Sequence, residues 1–323
     1  MIRIMEPKKT KLGNSDLVIN RLGLGCMGMS EFYGSFNEEE SIKTLHAAVE
    51  LGVNFFDTAD MYGSGLNEKL LGQAFKEVRH KIVLATKFGI MRGENGEFSG
   101  INGRPEYIKK ACDKSLMNLN MDSIDLYYMH RLDPEVPIEE IAGAMKDLVQ
   151  AGKIRYLGLS EVDEDTSKRA HAVHPISALQ TEYSLWSREP ENGILDLCDS
   201  LGVTFVSYSP LGRGFLTGNI NKRSDLEPGD WRLDNPRFSD EALEKNKHFV
   251  EVINGIAKSK KGTNAQVALA WVLSQSDKIA AIPGTRKIER LKENLGAFDI
   301  VLTESDLQEI NNNIPTETIG ARY

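Results

Sequence analysis

The sequence predicts an α/β fold, a (β/α)8 TIM barrel with an N-terminal cap and extra C-terminal helices. Eight short runs rich in β-branched or aromatic residues alternate with longer segments of helical period. The succession of helix, glycine and strand recurs in the stretches ELGVNFF, QAGKIRYLG and SLGVTFVS. Because no linker interrupts this alternation, we expect one domain over residues 1–323 rather than two.

The predicted strands are short apolar runs, and several of them end in an ionisable or polar residue. The stretch before about Asn20 precedes the first strand, and we expect it to form the N-terminal cap. The strands are predicted at residues 21–25, 53–57, 82–87, 124–130, 154–160, 178–181, 203–207 and 279–283.

The helices are predicted from apolar residues at helical spacing and from residues that favour helix ends. Pro105 and Pro190 suit a first helical turn, while Gly52, Gly152 and Gly202 each follow a helix and precede a strand. Predicted helices begin near Glu38, Leu66, Pro105, Ile138, Glu164, Pro190, Ser239 and Ile288, with further helices near Asn264 and Glu304.

The amino-acid composition excludes several classes of binding partner and of structural site. The formal net charge is -8, which argues against general binding of nucleic acid or of an anionic membrane surface. The three cysteines are widely separated and odd in number, so neither a disulfide framework nor a zinc site is expected. No apolar run is long enough for a signal peptide or a membrane span. We therefore expect a cytoplasmic protein without a metal.

Residues 23–28, GLGCMG, match the spacing G-x-G-x-x-G of dinucleotide-binding folds. That fingerprint requires a helix to begin at the glycines and an acidic residue about 20 positions later. Here MSEFYGSFN follows without a helical period, and the first strand that ends in an acid reaches only Asp57. We interpret the glycines as a permissive loop at the carboxyl end of the first barrel strand.

Polar and ionisable side chains collect where the predicted strands end. In a barrel of this kind these ends surround one mouth, where active sites form. Asp57 and Lys87 should lie on neighbouring strands within reach of an ion pair, and Tyr62 can fold back over the same mouth. The groups predicted at the mouth are Asp57, Lys87, His130, Ser160, Gln180, Tyr208 and the segment that starts at Gly284.

Seven stretches spaced along the chain, the first of them GVNFFDTADMYGSGLNEKLLGQAF and the last IPGTRKIERLKENLGA, resemble the aldo-keto reductase family, in the branch that contains pyridoxal and perakine reductases. GVNFFDTADMYGSGLNEKLLGQAF is similar to the family's first signature, ATKFG carries its lysine and YYMHRLD its histidine. GKIRYLGLS, ALQTEYSLW, YSPLGRGFLTG and IPGTRKIERLKENLGA follow in the family's order. The resemblance covers nearly the whole chain.

The resemblance implies that the protein transfers a hydride from NADPH to an aldehyde or ketone and yields an alcohol. Tyr62 would be the general acid, and Lys87 would stabilise its phenolate. Asp57 would hold Lys87 in place and keep it charged, and His130 would donate to the carbonyl oxygen or orient it.

The resemblance also implies a site for NADPH or NADP. Tyr208 would stack on the nicotinamide, PLGRGFLTG would cover the pyrophosphate, and a basic helix start would hold the 2′-phosphate. The cofactor-binding residues implied are Gly25, Met27, Ser160, Gln180, Tyr208, Ser209, Pro210, Leu211, Gly212, Arg213, Gly284, Thr285, Arg286, Arg290, Glu293 and Asn294.

Two positions depart from the family's pattern. Gly284 stands where many members have lysine, so the 2′-phosphate charge must fall to Arg286 and Arg290. Glu161 stands where an asparagine often helps to hold the nicotinamide carboxamide. A carboxylate accepts from the carboxamide NH2 but cannot donate to its oxygen.

An alternative class remains open, because potassium-channel β subunits resemble this barrel and retain cofactor while they serve a membrane partner. The reductase hypothesis instead expects a small carbonyl substrate as the partner, and leaves substrate identity and oligomeric state undetermined. The rim of the substrate pocket is expected from Cys26, Met27, Tyr33, Phe88, Arg131, Trp231, Ala321, Arg322 and Tyr323.

Overall fold

The predicted strands form one sheet of eight parallel strands in chain order, in a computed structural model that describes residues 8–322. Their short runs of β-branched and aromatic residues suit a sheet that is covered on both faces. We number them barrel strands 1 to 8: Leu24–Gly25, Phe55–Asp57, Val83–Phe88, Ile124–Met129, Ile154–Ser160, Ile176–Glu182, Thr204–Tyr208 and Ile279–Ile282.

The sheet closes on itself between barrel strands 1 and 8. Parallel bridges join Leu22 to Ala281 and Gly25 to Gly284. The Gly23 amide donates to the Ala281 carbonyl at 2.9 Å. The predicted barrel is therefore confirmed.

The residues GLGCMG lie at this closure. They form the end of a strand and a loop, as the sequence predicts, and not a dinucleotide fingerprint. Only Leu24–Gly25 is strand, and a 3-10 turn, Met27–Met29, follows it. A methyl group on Gly25 would lie 2.8 Å from the Ile282 carbonyl oxygen, and one on Gly23 would lie 2.8 Å from Phe55. These glycines allow the neighbouring strands to approach closely.

Helices surround the barrel, and the first six follow barrel strands 1 to 6 one by one. Two helices follow strand 7 and two follow strand 8, so the extra C-terminal helices are confirmed. The helices are α1 Glu38–Glu50, α2 Leu66–Phe75, α3 Pro105–Leu119, α4 Ile138–Gln150, α5 Glu164–Val173, α6 Ile194–Leu201, α7 Asp240–Lys260, α8 Asn264–Ser274, α9 Ile288–Leu295 and α10 Glu304–Asn313.

The predicted helix ends are correct at most positions and wrong at Pro190. That proline opens only a 3-10 turn, Glu189–Glu191, and α6 begins at Ile194 after Gly193, whose φ is 105°. Glycines follow α1, α4 and α6 at Gly52, Gly152 and Gly202, with φ of 85°, 72° and 66°. These are left-handed positions that favour glycine, and they turn the chain from helix to strand.

The N-terminal cap is an antiparallel hairpin of Lys9–Lys11 and Val18–Asn20. Its Leu12, Leu17 and Ile19 are buried against the side chains inside the barrel. The Gly13 amide donates at 2.7 Å to the hydroxyl of Thr204, the first residue of barrel strand 7. The hairpin therefore closes the barrel at the amino-terminal ends of the strands.

Two further features lie on the mouth side of the barrel. A second hairpin, Ile90–Arg92 with Phe98–Ile101, follows barrel strand 3 and was not predicted. The long segment after barrel strand 7 contains four 3-10 turns between residues 212 and 238. Within residues 8–322, none of the helices has the length and apolar character needed to cross a membrane.

Candidate active site

The side chains at the mouth continue the inward face of the barrel strands. Successive residues of a strand point to opposite faces, so residues two apart share a face. Asp57 follows the inward Phe55, Lys87 follows Ala85, and Gln180 follows Ala178 by this interval. The alternation thus places polar groups directly above an apolar interior.

Asp57 and Lys87 form the ion pair that the sequence predicted. Both side chains are buried, and the Lys87 ammonium donates to Asp57 Oδ1 and, at 2.8 Å, to the Thr58 carbonyl. Burial lowers the pKa of Lys87, and the adjacent Asp57 carboxylate acts in the opposite direction. The Lys87 ammonium is therefore held where water is excluded, and its electrostatic interaction with a neighbouring group is strong.

Tyr62 folds back over this pair, as the sequence predicted. It begins a 3-10 turn, Tyr62–Gly65, in which Gly63 and Ser64 have φ of 56° and 54°. The Lys87 nitrogen lies 5.3 Å from the centre of the Tyr62 ring. Asn67, two residues after the turn, joins neighbouring segments, because it accepts from Thr58 and donates to the Cys26 carbonyl and the Ser30 hydroxyl.

His130 completes the group at the mouth. Its ring centre lies 5.9 Å from that of Tyr62, at an interplanar angle of 86°. Burial holds the pKa of His130 well below its ordinary value, and the positive charges of Lys87 and Arg131 lower it further. The imidazole is therefore neutral at neutral pH. Its Nδ1 is buried and has no hydrogen-bond partner within the described residues.

Ser160 and Gln180 lie beside the four groups, on barrel strands 5 and 6. The Gln180 amide donates to Asp57 Oδ2 at 2.8 Å, so the carboxylate is bonded on both oxygens. Arg131 donates to the Ser160 hydroxyl at 3.3 Å and to the His130 carbonyl at 2.7 Å. The sequence placed both residues at the mouth, but it did not indicate their bonds to Asp57 and Arg131.

A buried ionic cluster next to Gln180 was missed by the sequence analysis. Glu182, at the end of barrel strand 6, accepts from Arg213 at 2.7 Å and lies 3.6 Å from Arg322 and 3.8 Å from Arg237. Burial raises the pKa of Glu182, and the three guanidinium groups oppose that effect. The interval of two from Gln180 was a signal that could have indicated an inward Glu182.

The last residue of barrel strand 7 and the segment after it supply the residues from Tyr208 to Arg213. Tyr208 is half-buried, and Ser209, Gly212 and Arg213 have φ of 49°, 56° and 55°. Left-handed backbone at residues other than glycine is costly and clusters at functional sites. Arg213 is buried against Glu182, and its guanidinium carbon lies 5.1 Å from the centre of the Trp231 ring. Pro210 and Leu211 lie between these residues, with Pro210 buried.

The segment after barrel strand 8 leads into the first turn of α9. Arg286 donates to the carbonyls of Gly28 and Tyr33, at 3.3 and 2.9 Å, and so holds the loop after barrel strand 1. Arg290 is exposed and pairs with no acid of residues 8–322. Gly284 is exposed, Thr285 and Glu293 are partly exposed, and Asn294 is buried. A groove of about 470 Å³ lies between the first turns of α1 and α9.

The structure contradicts the predicted pocket rim at Cys26 and Phe88. Met27 and Tyr33 are partly exposed, and Trp231 lies beside Tyr33 with ring centres 6.4 Å apart. Cys26 and Phe88 are fully buried in the layer between the strands and the helices, so they do not line the rim. Phe88 follows the inward Lys87 by one residue and therefore faces outward. Tyr323 lies outside the described residues.

Comparison with known proteins agrees with this arrangement. The model of the aldo/keto reductase family matches residues 21–314. Probable aldo-keto reductase 1 of Glycine max is 46% identical over 97% of this chain and 91% of its own length. Aldo-keto reductase yakc [NADP(+)] of Schizosaccharomyces pombe is also 46% identical, over 97% of this chain and 93% of its own.

Solved structures share the fold over almost the entire chain. The glycerol dehydrogenase of Gluconobacter oxydans has a TM-score of 0.88 at 27% identity, covering 98% of both chains. An aldo/keto reductase of Klebsiella pneumoniae, solved with NADP and acetate, has a TM-score of 0.76 at 27% identity and the same coverage. On the match of residues 21–314 and the 46% identity to these relatives, the chain belongs to the aldo/keto reductase family.

Proposed function

We propose that this protein is an NADP-dependent oxidoreductase that reduces an aldehyde or ketone to an alcohol. The observation that carries the proposal is the convergence of Asp57, Tyr62, Lys87 and His130 at one mouth. Support comes from the relatives, because the yeast protein is named for NADP(+) and the Klebsiella pneumoniae enzyme was solved with NADP. In this proposal, NADPH supplies the hydride to the carbonyl carbon.

Tyr62 is the proton donor in the proposed mechanism. Negative charge develops on the carbonyl oxygen during reduction, so a positioned O–H lowers the barrier. Lys87, with its nitrogen 5.3 Å from the Tyr62 ring centre, stabilises the phenolate that remains after the proton leaves. Asp57 fixes Lys87 and keeps it protonated against the effect of burial.

His130 acts as a neutral hydrogen-bond donor to the same oxygen. Its lowered pKa leaves the ring uncharged at neutral pH, and one ring nitrogen of a neutral imidazole carries a proton. The ring centre lies 5.9 Å from that of Tyr62, which is close enough for the two groups to share one oxygen atom as a partner. A neutral donor orients the carbonyl without adding a second positive charge beside Lys87.

The residues present suit a phosphorylated dinucleotide. The first turn of α9 offers free backbone amides, and Arg290 beside it is a cation without an acidic partner in residues 8–322. Arg286 is bonded to two loop carbonyls, so a role on the 2′-phosphate would require it to share or exchange those bonds. Tyr208, Ser160 and Gln180 are proposed to hold the nicotinamide end, and the turns from Ser209 to Arg213 the pyrophosphate.

The test replaces the phenol hydroxyl. Tyr62→Phe should lower kcat for a panel of aldehydes, dicarbonyls and pyridoxal by about 10²–10⁴-fold, because it removes the general acid. NADPH affinity, followed by fluorescence, should change little. Tyr156→Phe is the matched control, because Tyr156 bonds to Asp16 at the opposite end of the barrel and its loss should leave kcat unchanged.

Two outcomes would contradict the proposal. Turnover that survives Tyr62→Phe would exclude Tyr62 as the acid. Retained NADPH binding with no turnover of any carbonyl, together with co-purification of a membrane protein, would favour the cofactor-binding subunit instead.

The cytoplasmic location remains a prediction. It is supported by the three cysteines, which are free and buried.

A further inference from the structure

The ionic cluster beside the mouth includes a residue from the far end of the chain. Glu161, directly after barrel strand 5, pairs through Oε2 with Arg322, while its Oε1 accepts from the Glu182 amide at 3.0 Å. Its backbone has a φ of 55°, a costly conformation for glutamate. Burial acts to raise the pKa of Glu161, but Arg322 and the Glu182 amide outweigh it and lower the pKa.

The Arg322 side chain is held in place by its own segment. Its backbone carbonyl accepts from Arg213 and from Asn235, both at 3.0 Å. Earlier in the tail, the Gly320 carbonyl accepts from Arg237 at 3.3 Å and the Thr318 hydroxyl donates to the Trp186 carbonyl at 2.9 Å. The guanidinium is therefore brought to Glu161 by a fixed stretch of chain, which lowers the entropy cost of a further contact.

Glu161 and Arg322 border the residues proposed to hold the nicotinamide. The Glu161 amide donates to the Gln180 carbonyl at 3.0 Å, and Ser160 is the preceding residue. Tyr208, the proposed stacking partner, lies close enough to Arg322 for an electrostatic interaction. The ion pair thus stands at the edge of the site where a primary carboxamide would lie.

The chemistry of the pair matches that carboxamide. A primary carboxamide has an oxygen that accepts and an NH2 that donates, and a side-chain amide complements both. Glu161 alone only accepts, and Arg322 alone only donates. Placed side by side, the carboxylate and the guanidinium present one acceptor and several donors.

We propose that Glu161 and Arg322 together form the carboxamide subsite, with Glu161 accepting from the NH2 and Arg322 donating to the oxygen. This inference rests on the proposed function, because it assumes that a nicotinamide binds at the mouth. Arg322 is then a cofactor-binding residue contributed by the C-terminal tail, 161 positions away from Glu161.

The experiment measures equilibrium binding rather than turnover. Arg322→Met should weaken NADP⁺ binding by about tenfold or more, the effect of losing a charge-assisted hydrogen bond. Binding of 2′,5′-ADP, which lacks the nicotinamide, should stay unchanged. The double variant E161N/R322M should recover most of the NADP⁺ affinity, because asparagine supplies both an acceptor and a donor.

A purely structural role of the tail would give a different pattern. Arg169→Met, which breaks an exposed ion pair with Glu139, is the matched control and should leave both ligands unaffected. If Arg322→Met weakens both ligands and lowers the melting temperature, and E161N/R322M does not recover NADP⁺ binding, Arg322 only anchors the tail and the inference is wrong.

The remaining outcomes separate this inference from the proposed function. If NADP⁺ affinity is unchanged or higher in Arg322→Met while 2′,5′-ADP still binds, the pair does not hold the carboxamide. If neither NADP⁺ nor 2′,5′-ADP binds the unmodified protein, the proposed function itself fails, and this inference fails with it.

Discussion

At the scale of single residues, His130 shows how burial sets the charge state that the proposed chemistry needs. The side chain is 6% exposed and experiences the positive charges of two cationic residues, Lys87 and Arg131. Desolvation and like charge both disfavour the imidazolium, so the folded protein binds a proton there much less readily than the unfolded chain does.

This difference predicts a pH dependence of stability. Because the pKa of His130 is lowered in the folded state, the unfolded state takes up the proton first as the pH falls below about 6.5. Stability is therefore lost on acidification, and His130→Gln, which does not titrate, should remove that loss. Between pH 6.5 and 5.5, urea unfolding should show the parent losing roughly 1 kcal/mol more than the variant. Equal losses in the two proteins would contradict the lowered pKa.

At the scale of elements, the closure of the barrel requires glycine where barrel strands 1 and 8 approach each other closely. Barrel strands 1 and 8 are joined by only a few hydrogen bonds, among them Gly23 to Ala281. A methyl group at Gly25 would meet the Ile282 carbonyl oxygen at 2.8 Å, a backbone atom that cannot move without the strand.

Gly25→Ala should therefore destabilise the protein by about 1–3 kcal/mol, the usual cost of overpacking. Gly143→Ala is the matched control, since a methyl group at Gly143, inside α4, would meet no atom within 4 Å. It should stabilise the protein by about 0.5–1 kcal/mol, because alanine is the better helix former. Chemical denaturation of both variants checks this, and equal effects would show that closure tolerates a side chain at Gly25.

At the scale of the whole molecule, the two ends of the barrel have different roles, one in stability and the other in the proposed chemistry. The hairpin closes the amino-terminal end with Leu12, Leu17 and Ile19, while the ionisable groups gather at the carboxyl end. In barrels of this kind, stability and chemistry divide along the same axis.

Leu12→Ala should then cost about 2–5 kcal/mol of stability, because Leu12 is fully buried and its loss leaves a cavity. The kcat/KM of the Leu12→Ala variant for a carbonyl substrate should match that of the parent, when both are measured at a temperature at which the variant is folded. Val18→Ala removes a 45% exposed side chain from the same hairpin and should change stability little. A large fall in kcat/KM for Leu12→Ala would mean that the hairpin influences the mouth.

The sequence by itself determined the order of strands and helices, the barrel and the residues at the ends of the strands. These follow from patterns over a few residues, because a period of two places Asp57, Lys87 and Gln180 on the inward face wherever the strand lies. The glycines after α1, α4 and α6 were readable for the same reason, since a left-handed turn is a local requirement.

Only the tertiary structure decided which distant side chains meet. It turned Arg286 to the carbonyls of Gly28 and Tyr33, and it brought Arg322 to Glu161 across 161 positions of chain. No local pattern encodes such contacts, because they depend on how loops of irregular backbone pack on the closed barrel. The burial that lowers the pKa of His130 likewise exists only once the loops and helices enclose the mouth.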